Sequence, residues 1–174
     1  MKFGLLSLAA PGEDDAAASA HQQSGADFLA GAGHAVVLAE KTASSGVAAS
    51  DEAARLARAD CDGIALCLFT SIGAVALEAV PGMVVQAALH AACPVLLLGD
   101  DLPALLAASG ALEEIGITPG RAFGSPHDPA TLARIQTWAA LHEPAERRRG
   151  QDAAGKLFGA RYALFGEGGA PSRA

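Results

Sequence analysis

Charged and aromatic side chains are scarce in this chain. Of its 174 residues, 18 % are charged and 5 % are aromatic, whereas 51 % are hydrophobic. Acidic residues outnumber basic ones by 19 to 12, and the sequence contains no basic stripe, which argues against a nucleic-acid-binding protein. The shortage of charge and the high apolar content also exclude a disordered chain and indicate a globular domain with a substantial core.

Long apolar runs and cysteine motifs are missing as well. No apolar run reaches the roughly 18 residues that span a bilayer, and the N-terminus does not have the pattern of a signal peptide. The three cysteines form no CxxC motif, and the five histidines form no pair at i, i+4 spacing, so no local zinc motif is indicated. We therefore expect a cytoplasmic protein with reduced thiols and no contact with membranes or nucleic acid.

The rest of the sequence alternates short apolar runs with longer helical segments. Six apolar runs predict strands, at 2–10, 34–40, 61–70, 93–100, 121–126 and 161–165. Five segments between and after them predict helices, at 14–33, 50–60, 82–92, 101–116 and 129–149. Such an alternation is typical of a parallel sheet covered on both faces. We predict an α/β protein with a doubly wound parallel sheet, Rossmann-like or flavodoxin-like, in three αβα layers.

Polar residues and prolines predict where the helices begin and end. Ser50 is expected to cap the second helix and Asp101 the fourth. Pro81 is expected near the first turn of the third helix. Pro144 is expected to kink or break the fifth helix.

Ligands of doubly wound sheets bind beyond the carboxyl ends of the strands, at the switch in strand order. The candidate substrate-binding residues at that edge are Pro11, Thr70, Ser71 and Asp100. Hydroxyls such as those of Thr70 and Ser71 suit a sugar or a phosphate, but they also suit a turn or a cap. Asp100 could bind a metal or act as an acid or base. No catalytic residue and no metal ligand is assigned, because the sequence contains no triad, metal cluster or nucleotide loop.

Two further features have simple structural explanations. Cys67 lies within the apolar run "IALCLFT" (64–70), which favours a packed core thiol over an exposed nucleophile. The stretch "GEGGAP" (166–171) could hold an anion on its backbone N–H groups, but no helix follows it. We therefore interpret it as a linker or tail.

Three stretches together resemble the first, N-terminal domain of the L-fucose isomerase and L-arabinose isomerase superfamily. They are "ADCDGIALCLFT" (59–70), "CPVLLLGDDLPALLAASGALEEIGI" (93–117) and "GKLFGARYALFGEGG" (155–169). The resemblance implies a truncated or stand-alone, non-catalytic module related to the aldose–ketose isomerases of carbohydrate metabolism. It divides the chain into an α/β domain, 1–160, and a terminal strand with a Gly-rich tail, 161–174, that resembles the start of a missing second domain.

The same resemblance implies partners and cofactors. It suggests a sugar ligand and association into a homo-oligomer or with missing catalytic domains. It implies no cofactor in this chain, since Mn²⁺ and its ligands belong to later domains of the full-length family. The sequence departs from the family where a tryptophan commonly follows the third strand, because Ser71-Ile72-Gly73 stands there.

Two other interpretations remain open. A small Cys-dependent enzyme of the Asp/Glu-racemase type would use Cys67 near Thr70 and Ser71. A flavodoxin-like module would bind a small ligand without catalysis, although Ala9-Ala10-Pro11-Gly12 stands where a flavin-phosphate loop would be expected.

Overall fold

The computed structural model describes residues 1–69, 73–99, 101–124 and 128–143, in which five strands alternate with five helices. The strands are β1 (Lys2–Ala9), β2 (Ala35–Leu38), β3 (Gly63–Phe69), β4 (Val95–Gly99) and β5 (Gly120–Phe123). The helices are α1 (Asp15–Gly31), α2 (Gly46–Arg58), α3 (Gly73–Ala91), α4 (Leu102–Glu114) and α5 (Pro129–His142). The predicted alternation of strands and helices is confirmed.

The strands form one parallel sheet in the order β2-β1-β3-β4-β5. This is the flavodoxin-like order, in which the direction of winding switches between β1 and β3. The predicted doubly wound α/β fold is therefore confirmed. Its carboxyl edge, where ligands of such sheets bind, is formed by the ends of the strands and the loops that follow them.

Each face of the sheet has its own apolar core, because alternate residues of a strand point to opposite faces. Leu6 and Leu8 of β1 pack with residues of α2, α3 and α4 on one face. Phe3 and Leu5 pack with residues of α1 and α5 on the other. The result is the predicted three-layer arrangement, with two helices on one face and three on the other.

A buried glutamine connects β1 to the chain that follows β2, at the point where the pairing between β1 and β2 ends. Paired residues of β1 and β2 extend only as far as Leu5 and Leu38. Beyond them, the backbone N–H of Ser7 donates to Oε1 of Gln22 (3.2 Å), and Nε2 of Gln22 donates to the carbonyl of Ala39 (3.1 Å). The side chain of Gln22 on α1 thus takes the place of a neighbouring strand.

The second helix begins earlier than predicted, and Ser50 does not cap it. The N-cap is Ser45, whose hydroxyl accepts a hydrogen bond from the backbone N–H of Ala48 (3.2 Å), while Ser50 lies inside α2. Both serines precede Ala-rich sequence, and the earlier start places Ala49 on α2 with Ala53 and Leu56, the buried residues of that helix. The cap of α4 is Asp101, as predicted.

Replacing Ser45 by alanine should lower the free energy of unfolding by about 1 kcal/mol, because the first turn of α2 loses its capping hydroxyl. Ser50→Ala is the matched control, since it changes the same residue type inside the same helix. It should alter stability by roughly 0.5 kcal/mol or less. Urea unfolding followed by circular dichroism measures both; equal losses would mean that Ser45 does not act as the cap.

The third helix is also longer than predicted. It begins at Gly73, so that Pro81 lies in its interior and not near its first turn. A proline there cannot donate a backbone hydrogen bond to the preceding turn. The fully buried side chains of Val80 and Val84 lie on either side of Pro81 and hold this part of the helix against the sheet.

The C-terminal predictions fall largely outside the described residues. Met1–His142 forms one compact unit, and α5 is described as far as His142. Pro144, the predicted strand 161–165 and the Gly-rich tail lie outside the described residues. The proposed division of the chain at residue 160 therefore remains a prediction.

Candidate functional site

A cavity of about 250 Å³ lies at the carboxyl ends of β3, β4 and β5, on the face covered by α1 and α5. Helix α1 packs on β1, β2 and β3, whereas α5 packs on β5. Leu98 of β4 therefore faces the space between the two helices, and Leu98 and Gly99 both line the cavity. We refer to this space as the α1–α5 cavity.

The floor of the α1–α5 cavity includes Cys67, where α1 comes close to β3. A Cβ atom on Gly25 of α1 would lie 2.9 Å from Sγ of Cys67, closer than real side chains allow. Glycine at position 25 therefore lets the helix approach the sheet. Leu98 and Ala122 provide further apolar floor on the same face.

Cys67 cannot serve as a nucleophile in this position. Its side chain is 1 % exposed, and burial raises the pKa of its thiol to about 12. The thiol is thus neutral at physiological pH, whereas a nucleophilic cysteine requires the thiolate. The prediction of a packed core thiol is confirmed, and the alternative of a Cys-dependent racemase was wrong.

One wall of the cavity is a face of α1. His21, Ser24 and Phe28 are spaced by three and four residues, so they lie on the same side of the helix. Phe28 is half-buried and offers an aromatic surface, while Ser24 is exposed at the mouth of the cavity. This wall combines an aromatic ring with a hydroxyl and an imidazole.

The opposite wall is the connection from β5 to α5. Gly124 has a φ of +115°, a conformation that favours glycine, and its N–H donates to the carbonyl of Gly99 (3.2 Å). The hydroxyl of Thr131 lies 2.9 Å from the carbonyl oxygen of Phe123 and 2.9 Å from a carboxylate oxygen of Asp128, and either oxygen can accept its hydrogen. These bonds hold the end of β5 against the start of α5, and both Gly124 and Thr131 line the cavity.

Asp128 caps α5, and this position lowers the pKa of its carboxyl group. The main cause is the hydrogen bond from the Thr131 side chain, followed by the backbone N–H groups of Ala130 and Thr131. A carboxyl whose pKa is lowered in the folded state stabilises the fold above its ordinary pKa of 3.8. That contribution is lost as the pH falls through the lower, folded-state value.

We therefore expect Asp128→Asn to flatten the pH dependence of stability in the acid range. Asparagine can still accept the capping hydrogen bonds but does not titrate. As the pH is lowered below about 4, the midpoint temperature of thermal unfolding should fall less steeply in the variant than in the wild type. Asp51→Asn, at an exposed position on α2, should keep the wild-type slope; identical slopes for Asp128→Asn and the wild type would rule out this role of Asp128.

The described lining residues of the α1–α5 cavity carry few ionisable side chains. Among its described lining residues, His21 is the only one whose side chain can carry a charge, and the others are apolar, glycine, hydroxyl or the neutral Cys67. In the same ranges, His, Cys, Asp and Glu nowhere form a group of three that could hold a metal ion. The described lining thus offers a ligand apolar surface, hydroxyl groups and one imidazole.

The predicted site residues are only partly placed. Pro11 is exposed and lines a separate shallow depression of about 410 Å³, next to Ser45 and Gly46 at the start of α2 and to Gly82 of α3. Thr70, Ser71 and Asp100 lie outside the described residues. The role of these four residues in substrate binding remains a prediction, and the structure does not bring Pro11 to the α1–α5 cavity.

Sequence reasoning missed the α1 wall. His21, Ser24 and Phe28 were assigned only to a helix, although their spacing places them on one face. That spacing was the available signal. It does not by itself distinguish a face that packs on the sheet from one that borders a cavity.

Comparisons with known proteins found little. No family model matches the chain, and no curated protein matches it. Among solved structures, it is similar to a response regulator protein from Burkholderia multivorans, with 24 % identity and a TM-score of 0.41; the match covers 83 % of this chain and 98 % of that one. A similarity of this size carries no argument about function.

The predicted membership of the L-fucose isomerase superfamily was wrong. No family model of that superfamily matches the chain. Two of the three stretches that suggested it contain β3 and β4, which are buried apolar strands. Such strands occur in any doubly wound sheet. The predicted isomerase-like function and its place in carbohydrate metabolism are withdrawn with the resemblance.

The described part of the chain contains no helix long and apolar enough to cross a membrane. The predicted sugar ligand, the homo-oligomer and the lack of a cofactor in this chain are not tested by these comparisons.

Proposed function

We propose that this chain is a small-molecule-binding domain of flavodoxin-like fold that holds an uncharged, largely apolar ligand in the α1–α5 cavity. The main support for this proposal is the position of the cavity in the fold, together with the chemical nature of the residues that line it. The cavity lies at the carboxyl edge of a doubly wound sheet, the usual position of ligands in this fold. Its lining is mostly apolar with a few polar groups, as is typical of small-molecule sites.

The size of the cavity bounds the ligand. An apolar cavity of about 150 Å³ in another protein holds benzene. The α1–α5 cavity, at about 250 Å³, has room for a single ring with one or two substituents.

The lining also bounds the charge of the ligand. Transfer of an unpaired charge from water into an apolar site is strongly unfavourable. The cavity offers hydroxyls, an imidazole and backbone groups, and among its described lining residues it has no Lys, Arg, Asp or Glu. A neutral ring with one hydrogen-bonding substituent satisfies both requirements, and phenol is the simplest probe of this kind.

Binding of phenol, benzoate and benzylamine to the purified chain tests the proposal. Phenol should bind with a Kd on the order of 1 mM, as expected for a fragment of its size, and the two charged analogues should bind more weakly. Ser24→Trp, which places a large side chain at the mouth of the cavity, should abolish phenol binding. Gln23→Trp, at the neighbouring exposed position of α1, should leave it unchanged. Tighter binding of benzoate than of phenol would contradict a neutral ligand.

The location of the protein is part of this proposal. All three cysteines are free thiols in the structure, which suits a reducing compartment such as the cytoplasm. Self-association remains a prediction from the sequence.

A further inference from the structure

Two thiols lie at the amino edge of the sheet, at the end opposite the α1–α5 cavity. Cys61 lies two residues before β3 and Cys93 lies two residues before β4. Each follows a residue with left-handed backbone, Asp60 (φ 55°) and Ala92 (φ 50°), just after the end of a helix. The two helix-to-strand turns therefore place a cysteine at equivalent positions in neighbouring strands.

Both thiols lie on the α2–α3 side of the sheet. Sγ of Cys61 is 3.4 Å from the point where a Cβ of Gly4 would be, beside Leu56 of α2. Gly4, Leu6 and Leu8 are spaced two residues apart along β1 and therefore face the same side of the sheet. Cys93 packs against this same core cluster. The missing side chain at Gly4 thus provides the space that Sγ of Cys61 occupies.

The register of the strands brings the two residues within reach of each other. Ile64 of β3 is level with Val95 of β4, and the N–H of Ile64 donates to the carbonyl of Pro94 (2.9 Å). Continued toward the amino edge, this register leaves Cys61 and Cys93 one residue out of step on adjacent strands. With ideal strand spacing and rise, a continuation of this register through Asp62 and Pro94 would separate their Cα atoms by roughly 6 Å, which is close to the usual separation in disulfides.

Cys61 and Cys93 are accessible to a reagent, and the pKa values of their thiols are affected differently by their surroundings. Cys61 and Cys93 are both half-buried, unlike the fully buried Cys67. The Lys2 ammonium donates to the carbonyl of Ala59 and favours the thiolate of Cys61, which partly offsets the rise in the pKa of Cys61 caused by burial. Burial, and then the neighbouring Cys61, raise the pKa of Cys93 to about 11. Cys61 is therefore the better attacking group.

We propose that Cys61 and Cys93 form a dithiol site that a low-molecular-weight disulfide, such as oxidised glutathione, converts reversibly to an intramolecular disulfide. The Cys61 thiolate attacks one sulfur of the small disulfide, which forms a mixed disulfide and releases one small thiolate. The Cys93 thiolate then attacks Sγ of Cys61 and releases the second. The protein loses two electrons and two protons, and the small disulfide takes up both to become two thiols.

Oxidation of the full chain with oxidised glutathione, followed by cleavage at Met83 with cyanogen bromide, tests this site. Met83 lies between the two cysteines, so the fragments on either side of it should stay joined until a reductant is added. The intact mass should fall by a pair of hydrogen atoms while the protein remains a single chain. Thermal unfolding of the oxidised form should shift upward by about 10 °C.

Single variants identify the partners. Cys61→Ser and Cys93→Ser should each abolish the joined fragments and leave only glutathione adducts. Native treatment with iodoacetamide should alkylate Cys61 and Cys93 before oxidation but not after, and it should spare Cys67 in both states. Joined fragments that persist in Cys61→Ser, a disulfide between two chains, or glutathione adducts alone in the wild type would each overturn the proposal.

Discussion

Replacement of Gln22 by alanine is expected to lower the free energy of unfolding by about 3 kcal/mol. Gln22 is 6 % exposed, and its side chain is the partner of the Ser7 N–H and the Ala39 carbonyl. Alanine would leave both backbone groups without this partner at a place that water does not reach. A buried polar group left unsatisfied costs the full free energy of its desolvation.

Gln23→Ala is the matched control for this experiment. Gln23 is the next residue on α1, and its side chain donates only to Asp27 on the exposed face (2.8 Å). The two substitutions change helix propensity equally, so their difference measures the buried hydrogen bonds. Gln23→Ala should alter stability by roughly 0.5 kcal/mol or less. Urea unfolding that gave the same small effect for both variants would show that Gln22 does not bridge β1 and Ala39.

Replacement of Gly120 by alanine should also cost about 3 kcal/mol, for a steric reason. A Cβ atom on Gly120 of β5 would lie 2.5 Å from Cδ1 and Nε1 of Trp138 on α5. Trp138 cannot move freely, because it stacks on Phe3 (ring centroids 5.9 Å apart) and on His142 (4.4 Å). The substitution must displace either α5 or the end of the sheet.

The fluorescence of Trp138, the single tryptophan, should change together with the stability of the Gly120→Ala variant. Gly110→Ala is the control, since Gly110 lies within α4 and a Cβ there would meet no atom within 4 Å. That variant should be more stable by roughly 0.5–1 kcal/mol, because alanine is the better helix former. A Gly120→Ala protein as stable as the wild type would contradict the close contact between β5 and Trp138.

The alternation of strands and helices and the layers follow from signals that are local in the sequence. Buried parallel strands such as β3 and β4 appear as continuous apolar runs, and the helices between them carry caps such as Asp101. Ser45 and Pro81 show where local signals fail. Ser50, five residues after Ser45, is an equally suitable cap by sequence but lies inside α2. Pro81 is of a type common at helix starts, but it lies inside α3 between two buried valines.

The α1–α5 cavity could not be predicted in the same way, because it depends on how two distant helices lie across the sheet. The sequence directed attention to the loops after the strands, at Pro11, Thr70, Ser71 and Asp100. It gave no sign that Gly25 would let α1 approach Cys67, since a glycine inside a helix has several explanations. The apolar strands predicted the fold correctly but suggested the wrong family, because unrelated doubly wound proteins share such strands.

Titration of the isotope-labelled chain with phenol, followed by the amide resonances of its glycines, tests the proposed ligand site most directly. The resonances of Gly25, Gly99 and Gly124 should shift and saturate together, since all three line the α1–α5 cavity. Those of Gly46 and Gly82, which line the depression beside Pro11, should stay in place. Shifts confined to Gly46 and Gly82, or no saturable shift at Gly25, Gly99 and Gly124, would show that the α1–α5 cavity is not the binding site.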